Sequence, residues 1–446
     1  MRKAKLAISW YFFAVGMAMG NWAAILPFVK ELQGINNGVL GGLRVGAVGG
    51  AMLALPVVTY SNEHFGCGIS VILGSLSMVL LFPLVALDAG LGVFALGIIM
   101  LGFGMGCTDV SMNGQAVLCE KITRTPILGM FHSIASIGTV VGALVGGAIM
   151  QQGISVLHEV AFICFILILP EFIFSCWLFS FQEEKLINQS TSGQSGHVYE
   201  VLESAENPAL YHPEYRTHSE ELLETERTQS DALQSISSGR QSDRTNSQQH
   251  SQSGHSQSSH TEGNLSLNNG SNPDVPSTSI DSRQTDWQVY SKASTDGEVD
   301  YITLLKLCGL CFIAYFGEGS IGDWSAIYLK DNLNSNAFEC TLGVVGFQLF
   351  VAIGRFYSDY VVVFLGRQRL LLLSGIVSGA GLGITVIAPI FTNDTVALVI
   401  AIIGFSLCGA GMSVVAPSVI SMAGAGISGL TTSAAIAYVS SIGKRI

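Results

Sequence analysis

Ten apolar segments, each long enough to cross a lipid bilayer as a helix, leave this chain few folds to choose from. A transmembrane helix needs about 20 predominantly apolar residues. The 446-residue sequence, 49% hydrophobic and only 12% charged, supplies such segments repeatedly. The predicted spans are Leu6–Val29, Gly38–Tyr60, Cys67–Leu87, Leu91–Val117, Ile127–Met150, Leu157–Phe181, Ile302–Leu329, Ala337–Val362, Leu370–Ile390 and Val396–Met422. The sequence therefore predicts an all-α polytopic membrane protein.

A six-residue motif occurs once in each of two apolar regions. Gly-Asn-Trp-Ala-Ala-Ile at 20–25 returns as Gly-Asp-Trp-Ser-Ala-Ile at 322–327, an offset of 302. Two dipeptide pairs share that offset: Leu40-Gly41 with Leu342-Gly343, and Gly102-Phe103 with Gly404-Phe405. Parallel repeats of this kind build many secondary transporters, whose solute site lies between the halves. We therefore expect two pseudo-symmetric helical halves, residues 1–181 and 301–446.

The segment between the halves, Gln182–Asp300, has a different composition. It holds 19 of the 32 acidic residues but only 7 of the 21 basic ones, and is rich in Ser, Gln and His. Such a segment buries too little apolar surface to fold. Lysines and arginines of the short loops concentrate on the side of the amino terminus, which places that side in the cytosol. We expect a disordered cytosolic loop that can bind trafficking or regulatory proteins.

The carboxyl end is predicted to be incomplete. An eleventh apolar stretch, Ile427–Ile442, has 16 residues, ~24 Å as a helix against a ~30 Å hydrocarbon core. No twelfth span follows it. The interpretation is a chain with about 10 to 11 spans, whose transport activity we expect to require two complete further spans.

Several functional classes find no support in the sequence. The nine cysteines lie mostly in apolar stretches without metal-ligand spacing. No Gly-x-x-x-x-Gly-Lys-Ser/Thr phosphate loop and no nucleophile with its base is visible. We therefore expect no enzyme, no metal or cofactor, and no nucleic-acid partner; the expected partners are a small solute, protons and membrane lipid.

Asp109 is an ionisable residue in the middle of the fourth span. A charged side chain inside a bilayer costs ~2.5–3.5 kcal/mol on insertion scales and usually faces a cavity or a partner. Asn113 lies four residues later and so on the same helix face. Glycines at 102, 104 and 106 let neighbouring helices approach closely. A carboxyl in that narrow space suits proton uptake and release, and a purely structural carboxylate is the alternative.

The seventh span carries two acids, Glu318 and Asp323. They are five residues apart and therefore on different helix faces, so at least one should face the pore. Asp323 occupies the repeat position of Asn21, and symmetry then places both on the inner surfaces of the halves. Trp22 and Trp324 follow them and suit stacking on a polyhydroxylated ligand. Anchoring of the tryptophans at the membrane interface is an equally open interpretation.

Two further ionisable side chains lie in apolar spans. Arg44 in the second span is predicted to pair with Asp109 or Glu318, or to bind an anionic group of a solute. His132 begins the fifth span and titrates near neutrality. It is either a proton carrier or an interfacial side chain.

Around these residues the chain resembles the major facilitator superfamily, in particular the fucose/galactose/glucose:proton symporter branch and its bacterial sugar-transporter-like relatives. In that branch a glycine-rich run in the fourth span leads to an acid implicated in proton coupling, with Asn four residues later, as Asp109 and Asn113 stand here. The relatives also resemble the chain in Asp109–Val117, Phe131–Ser133 and Glu318–Leu329. The resemblance covers nearly everything outside the polar loop and implies a twelve-span fold.

The chain departs from that family pattern at two places besides its carboxyl end. The cytoplasmic motif between the second and third spans lacks its basic pair in Thr59–Gly68. The second half keeps more of it, in Gly354–Asp359 and Gly366–Arg369. The first span has Asn21 where sugar symporters carry a carboxylate. The gating residues implied by the resemblance are Arg355, Asp359 and Arg367.

These patterns predict a secondary active transporter that moves a small polar, sugar-like solute by alternating access, with proton coupling, in the plasma membrane or an endomembrane. The proton-coupling candidates are Asp109, Glu318 and His132. The solute-binding candidates are Asn21, Trp22, Arg44, Asn113, Gln115, Asp323 and Trp324. The alternative is a non-transporting truncated or regulatory membrane protein, which the missing last span favours.

Overall fold

The computed structural model describes residues 1–123, 127–191 and 300–424, together with Ile427 and Val439. Its helices are α1 (Arg2–Leu32), α2 (Asn37–Phe65), α3 (Cys67–Leu81), α4 (Leu91–Thr123), α5 (Leu128–Gln151), α6 (Val156–Ser175), α7 (Phe181–Thr191), α8 (Tyr301–Leu333), α9 (Ala337–Leu365), α10 (Arg367–Ile387), α11 (Asp394–Met412) and α12 (Val415–Gly424). Ten helical segments in these ranges have the length and composition of membrane spans. The predicted all-α membrane architecture is confirmed.

The joints between helices repeat from one half to the other. The side chain of Asn36 accepts a hydrogen bond from the backbone at the start of α2, and Asn336 does the same for α9, because the first amides of a helix lack partners within it. Gly66 links α2 to α3 with φ 86°, and Gly366 links α9 to α10 with φ 74°. Glycine adopts this backbone conformation without steric cost. An asparagine cap and a glycine with positive φ therefore mark the same two helix junctions in each half.

The register of the repeat changes along the chain. The capping asparagines and the joint glycines are 300 residues apart, whereas the six-residue motif recurs after 302. Two fewer residues therefore separate the motif from the next helix in the second half. The predicted single offset holds for the motif and not for these joints.

Close backbone packing organises the amino-terminal half. Helix α1 lies along α5, and α4 packs against both α2 and α3. A Cβ at Gly102 would overlap the carbonyl oxygen of Ala47 in α2, and one at Gly104 would lie 2.8 Å from the amide of Met78 in α3. The predicted close approach at the α4 glycines is confirmed. In the second half, α11 packs against α9 and α10.

Small residues bring the two halves together. Helix α5 packs against α9, and α1 packs against α8. Ala23, Ala143 and Val344 form one buried apolar cluster across this contact. Gly147 of α5 lies directly against Thr341 of α9, where a Cβ would come within 3.0 Å of the threonine hydroxyl. Small side chains allow such close helix approach in membranes.

The polar loop begins later than the sequence predicted. Residues 182–191, assigned to the loop, belong to helix α7, which packs on the carboxyl-terminal end of α4. Phe181 lies against the Gly66 joint, where a Cβ would be 3.2 Å from the Phe181 side chain. Residues 192–299 lie outside the described part of the chain, as does most of the predicted eleventh apolar stretch.

Candidate functional site between the two halves

Asp323 of α8 is the centre of a polar cluster that joins the two halves. The guanidinium of Arg44 in α2 donates to Asp323 Oδ2 from Nε at 2.8 Å, and its Nη2 lies 2.7 Å from Oδ1. The indole of Trp22 in α1 donates to Oδ1 at 3.2 Å. The Arg44 Cζ also lies 5.2 Å from the centre of the Trp22 ring, within cation–π range. One carboxylate of the second half thus holds two side chains of the first.

The partner of Arg44 differs from the predicted ones. The sequence suggested Asp109 or Glu318, because those acids also lie within apolar spans. The structure pairs Arg44 with Asp323 in a two-point geometry that suits a planar guanidinium. The arginine side chain is 28% exposed and the aspartate 17%. The pair is therefore partly exposed.

The two repeated tryptophans have different surroundings. Trp22 is buried at 7% exposure and hydrogen-bonded to Asp323, so the interfacial-anchor interpretation does not describe it. The ring of Trp324 lies beside Gly41 of α2, where a Cβ would be 3.6 Å from its Cζ2. Both rings thus contact the opposite half of the protein.

Glu318 belongs to a second ion pair on another face of α8. Arg355 of α9 donates to Glu318 Oε2 from Nη2 at 2.7 Å, and Gln348 donates to Oε1 at 3.3 Å. Arg355 Nη1 also reaches Ser136 of α5 in the other half, at 3.3 Å. The predicted gating residue Arg355 therefore links Glu318 to the amino-terminal half. The other two predicted gating residues, Asp359 and Arg367, have side chains that the structure does not describe.

Asp109 and Asn113 are in contact on α4. The amide of Asn113 donates to the Asp109 carbonyl oxygen at 2.7 Å and to Oδ1 at 3.1 Å. The spacing of four residues produces this pairing, as predicted. The ring of His132 packs edge-on against Phe12 of α1, with the ring centres 5.2 Å apart.

The structure corrects the predicted place of Asn21. Its side chain is fully buried inside the amino-terminal half, and its Nδ2 donates to Glu159 Oε2 of α6 at 3.2 Å. Adjacent residues of a helix point about 100° apart, so Trp22 faces Asp323 while Asn21 faces α6. The pseudo-symmetry of the motif does not extend to these two side chains.

Gln115 also lies away from the predicted solute site. Its Nε2 donates to Glu184 Oε1 at 2.7 Å and to the Phe179 carbonyl at 3.1 Å. Glu184 of α7 in turn accepts from the amides of Cys67 and Gly68 at the start of α3. Burial raises the pKa of Glu184, although these hydrogen bonds oppose the shift. Gln115 thus anchors α7 to the helical core.

Ion pairs between lysines and acids join the carboxyl-terminal ends of α1 and α8. Lys30 of α1 lies 2.7 Å from Asp331 of α8, and Lys330 of α8 lies 2.6 Å from Glu31 of α1. Lys330 also stands over the Phe28 ring at 4.1 Å. These helix ends are exoplasmic in the predicted topology. The two reciprocal pairs hold the halves together on that side.

Helix α6 contains two buried acids that were not among the predicted site residues. Glu159 has no exposed surface and Glu171 is 3% exposed. Both lie in a predicted span, so the cost of placing a charge in a bilayer, which drew attention to Asp109, applies to them equally. Applied to α6, the cost of an ionisable side chain in an apolar span also predicts Glu159 and Glu171 as candidate functional residues.

Comparisons with known proteins agree with this architecture. The chain matches the Major Facilitator Superfamily over residues 8–443 and belongs to that family. An uncharacterized MFS-type transporter of Yersinia pestis is 24% identical over 413 residues, which cover 93% of this chain and 78% of the relative. Membrane protein MosC of Rhizobium meliloti is 22% identical over 421 residues, 94% of this chain and 74% of that protein.

A solved structure shares the fold. The crystal structure of a D-xylose-proton symporter aligns with a TM-score of 0.55 at 13% identity, over 99% of this chain and 87% of the other. At that identity the likeness shows the fold. The protein is a multi-pass membrane transporter of the major facilitator type.

Proposed function

We propose that this transporter moves a small polar, sugar-like solute between its two halves by alternating access, with proton coupling. The cluster of Trp22, Arg44 and Asp323 carries the proposal, because side chains of both halves converge on one partly accessible carboxylate. A solute that binds there contacts both halves at once. Solute binding is thereby tied to the relative position of the halves.

The chemistry of the cluster suits a sugar. Indole rings offer flat apolar faces for stacking, while a carboxylate and a guanidinium bind hydroxyl groups. The amide of Asn113, paired with Asp109 on α4, offers a further hydroxyl contact. A D-xylose-proton symporter of the same fold motivates the choice of test sugars.

Asp109 is the proposed proton carrier, and Glu318 and His132 are further candidates. Glu318 is paired with Arg355 in this conformation, so a cation lies beside its carboxylate. Asp109 is hydrogen-bonded to the amide of Asn113, so a solute that binds Asn113 acts directly on the proposed proton carrier.

Reconstitution tests the transport activity. A purified protein that contains this sequence and completes the spans of the family should accumulate, in proteoliposomes, at least one of D-xylose, L-fucose, D-galactose and D-glucose when an inward proton gradient is imposed. Accumulation should stop when the gradient is collapsed. Absence of uptake for all four sugars, in vesicles that contain folded protein, would favour the non-transporting alternative.

A pair of α4 variants separates coupling from solute contact. Asp109→Asn should abolish accumulation and leave solute exchange, because exchange needs no net proton movement. Asn113→Ala should instead raise the apparent KM and keep the dependence on the proton gradient. An unchanged pH dependence in Asp109→Asn would exclude Asp109 as the carrier.

A further inference from the structure

Glu159 stands out among the buried groups that the proposed solute site does not use. It lies in α6 and is fully buried within the amino-terminal half. Its Oε2 accepts a hydrogen bond from Asn21 Nδ2 at 3.2 Å. Its Oε1 has no hydrogen-bond partner, and neither has Asn21 Oδ1. Two unsatisfied oxygens thus lie within a single buried pair of side chains.

A single added proton satisfies both oxygens. As an anion, Glu159 only accepts hydrogen bonds, and Asn21 Oδ1 is also an acceptor, so the two cannot bond to each other. As a neutral acid, Glu159 can donate from Oε1 to Asn21 Oδ1 while Oε2 keeps its bond from Nδ2. Both oxygens flank Gly146, so the neutral acid and the amide can form two reciprocal hydrogen bonds once Oε1 and Oδ1 come within bonding distance. Buried polar groups are strongly favoured to be paired in this way.

No cation among the described side chains pairs with Glu159. None of the ion pairs found among the described side chains involves it. His158, the preceding residue, is exposed and bonded to Ser155 instead. Cys164 on the same helix gives its thiol to a carbonyl of α3, and Gly146 of α5 adds no side chain. An isolated anion in such a place is costly, and a neutral acid is not.

The second buried acid of α6 differs in this respect. Glu171 hydrogen-bonds Ser75 and interacts with Tyr11 of α1. The Tyr11 hydroxyl and Glu171 Oε1 are both without partners, but a tyrosine hydroxyl is itself a donor. Glu171 thus has hydroxyl donors beside it in Ser75 and Tyr11, a source of hydrogen bonds that Glu159 lacks. Glu171 therefore serves as the matched control.

We propose that Glu159 is a second proton-binding carboxyl of the amino-terminal half, in addition to Asp109, and that it is held as a neutral acid against Asn21; this rests on the proposed transport function. It supplies from α6 the carboxylate that the first span lacks. Asn21 is followed directly by Trp22, which bonds to Asp323 of the other half. Proton uptake forms the O–H bond of Glu159, and release returns that proton to water. Release requires α1 and α6 to separate enough to admit water, which couples it to helix movement.

Infrared spectroscopy of the full chain in lipid nanodiscs tests the protonation directly and needs no solute. The carbonyl stretch of a protonated carboxyl lies at a higher frequency than the bands of a carboxylate or an amide. The wild type and Glu171→Gln should show a buried-acid band at neutral pH that is absent from Glu159→Gln. If the spectra of the wild type and Glu159→Gln coincide in this region throughout the titration, Glu159 is not the protonated group.

Transport then tests the coupling. Glu159→Gln should keep solute exchange and lose at least tenfold in proton-driven accumulation, whereas Glu171→Gln should keep both. The double variant Asn21→Asp, Glu159→Gln moves the carboxyl to α1 and should recover accumulation. Full accumulation by Glu159→Gln would overturn the proposed coupling. Failure of the proposed transport function would appear differently, as a wild type that moves no solute while its infrared band still depends on Glu159.

A glycine variant provides an independent check of the pair. A Cβ at Gly146 would overlap Asn21 Oδ1 and lie 3.3 Å from Glu159 Oε1. Gly146→Ala should therefore shift the infrared band of the buried acid. Gly129→Ala in the same helix, where a Cβ meets nothing within 4 Å, should leave it in place. An unshifted band in a folded Gly146→Ala protein would contradict the assigned position of the proton.

Discussion

Gly20 of α1 lies directly against the backbone of Thr139 in α5, so that a Cβ on the glycine would overlap the threonine carbonyl oxygen. The contact is between two backbones, which have no alternative rotamers with which to yield. The packing of α1 on α5 therefore depends on the absence of a side chain at this position. Trp22 and Asn21 follow on the same helix, so this contact also positions the site.

Gly20→Ala should lower the thermal stability of the purified protein, by about 1–3 kcal/mol, because overpacking forces the helices apart. Gly49→Ala in α2 is the matched control, since a Cβ there meets nothing within 4 Å. The control should be neutral or slightly stabilising, as alanine favours the helix by about 0.5–1 kcal/mol. Thermal unfolding in one detergent compares them. Equal stability of both variants would contradict the packing described.

The Arg44–Asp323 pair should behave as a unit. Arg44→Ala leaves a partly buried carboxylate without its cation and should cost about 1–3 kcal/mol, less than the 3–5 kcal/mol of a fully buried pair. The charge exchange Arg44→Asp with Asp323→Arg should recover part of that loss. Unfolding of the single and double variants gives the coupling free energy. A coupling near zero would show that the two side chains contribute independently.

The ion pairs between the ends of α1 and α8, exoplasmic in the predicted topology, should hold the halves together in a salt-dependent way. Lys30→Glu places two acids opposite each other at Asp331 and should increase hydrogen exchange at the ends of α1 and α8. Each exposed pair contributes only about 0.2–1 kcal/mol, so high salt should reduce the difference from wild type. Adding Asp331→Lys should restore protection. Asp88→Asn, an exposed acid on the same side in the predicted topology, should have no effect.

Docking of α7 should weaken as pH rises. Burial raises the pKa of Glu184 in the docked helix, so the docked state binds protons more strongly than the undocked state. The resulting stabilisation is complete below the ordinary glutamate pKa of about 4.3 and is lost as pH rises through the raised value. Hydrogen exchange of α7, corrected for intrinsic rates, should increase over that range. Glu184→Gln should remove this pH dependence, and a dependence that persists would assign it to another group.

Local rules accounted for much of the molecule. Apolar runs of sufficient length predicted the ten spans, and a spacing of four residues predicted the contact of Asp109 with Asn113. Both features depend on residues close together in one helix, whose geometry is fixed. The different faces of Glu318 and Asp323 followed from the same geometry, and the two acids indeed have different partners.

Contacts between distant helices were less predictable. Arg44 and Asp323 are 279 residues apart, and no spacing rule selects one acid of α8 over the other. The repeat predicted that Asn21 faces the site as Asp323 does, but Asn21 instead pairs with the buried Glu159. The offset of 302 aligned Gly102 with Gly404, yet Gly102 packs on α2 whereas Gly404 packs on α10, as Gly104 packs on α3. Three-dimensional packing decides such equivalences.

The two reciprocal ion pairs between the ends of α1 and α8 determine how this part of the protein responds to voltage. The charges of Lys30 and Glu31 sum to zero at the end of α1, as do those of Lys330 and Asp331 on α8, and each side chain pairs with the opposite helix. Moving one elementary charge through the membrane potential is worth ~2.3 kcal/mol per 100 mV. Because each half carries one cation and one anion at this end, separation of the two ends displaces no net charge at these positions. The electric field across the membrane therefore neither favours nor opposes that opening through these four side chains.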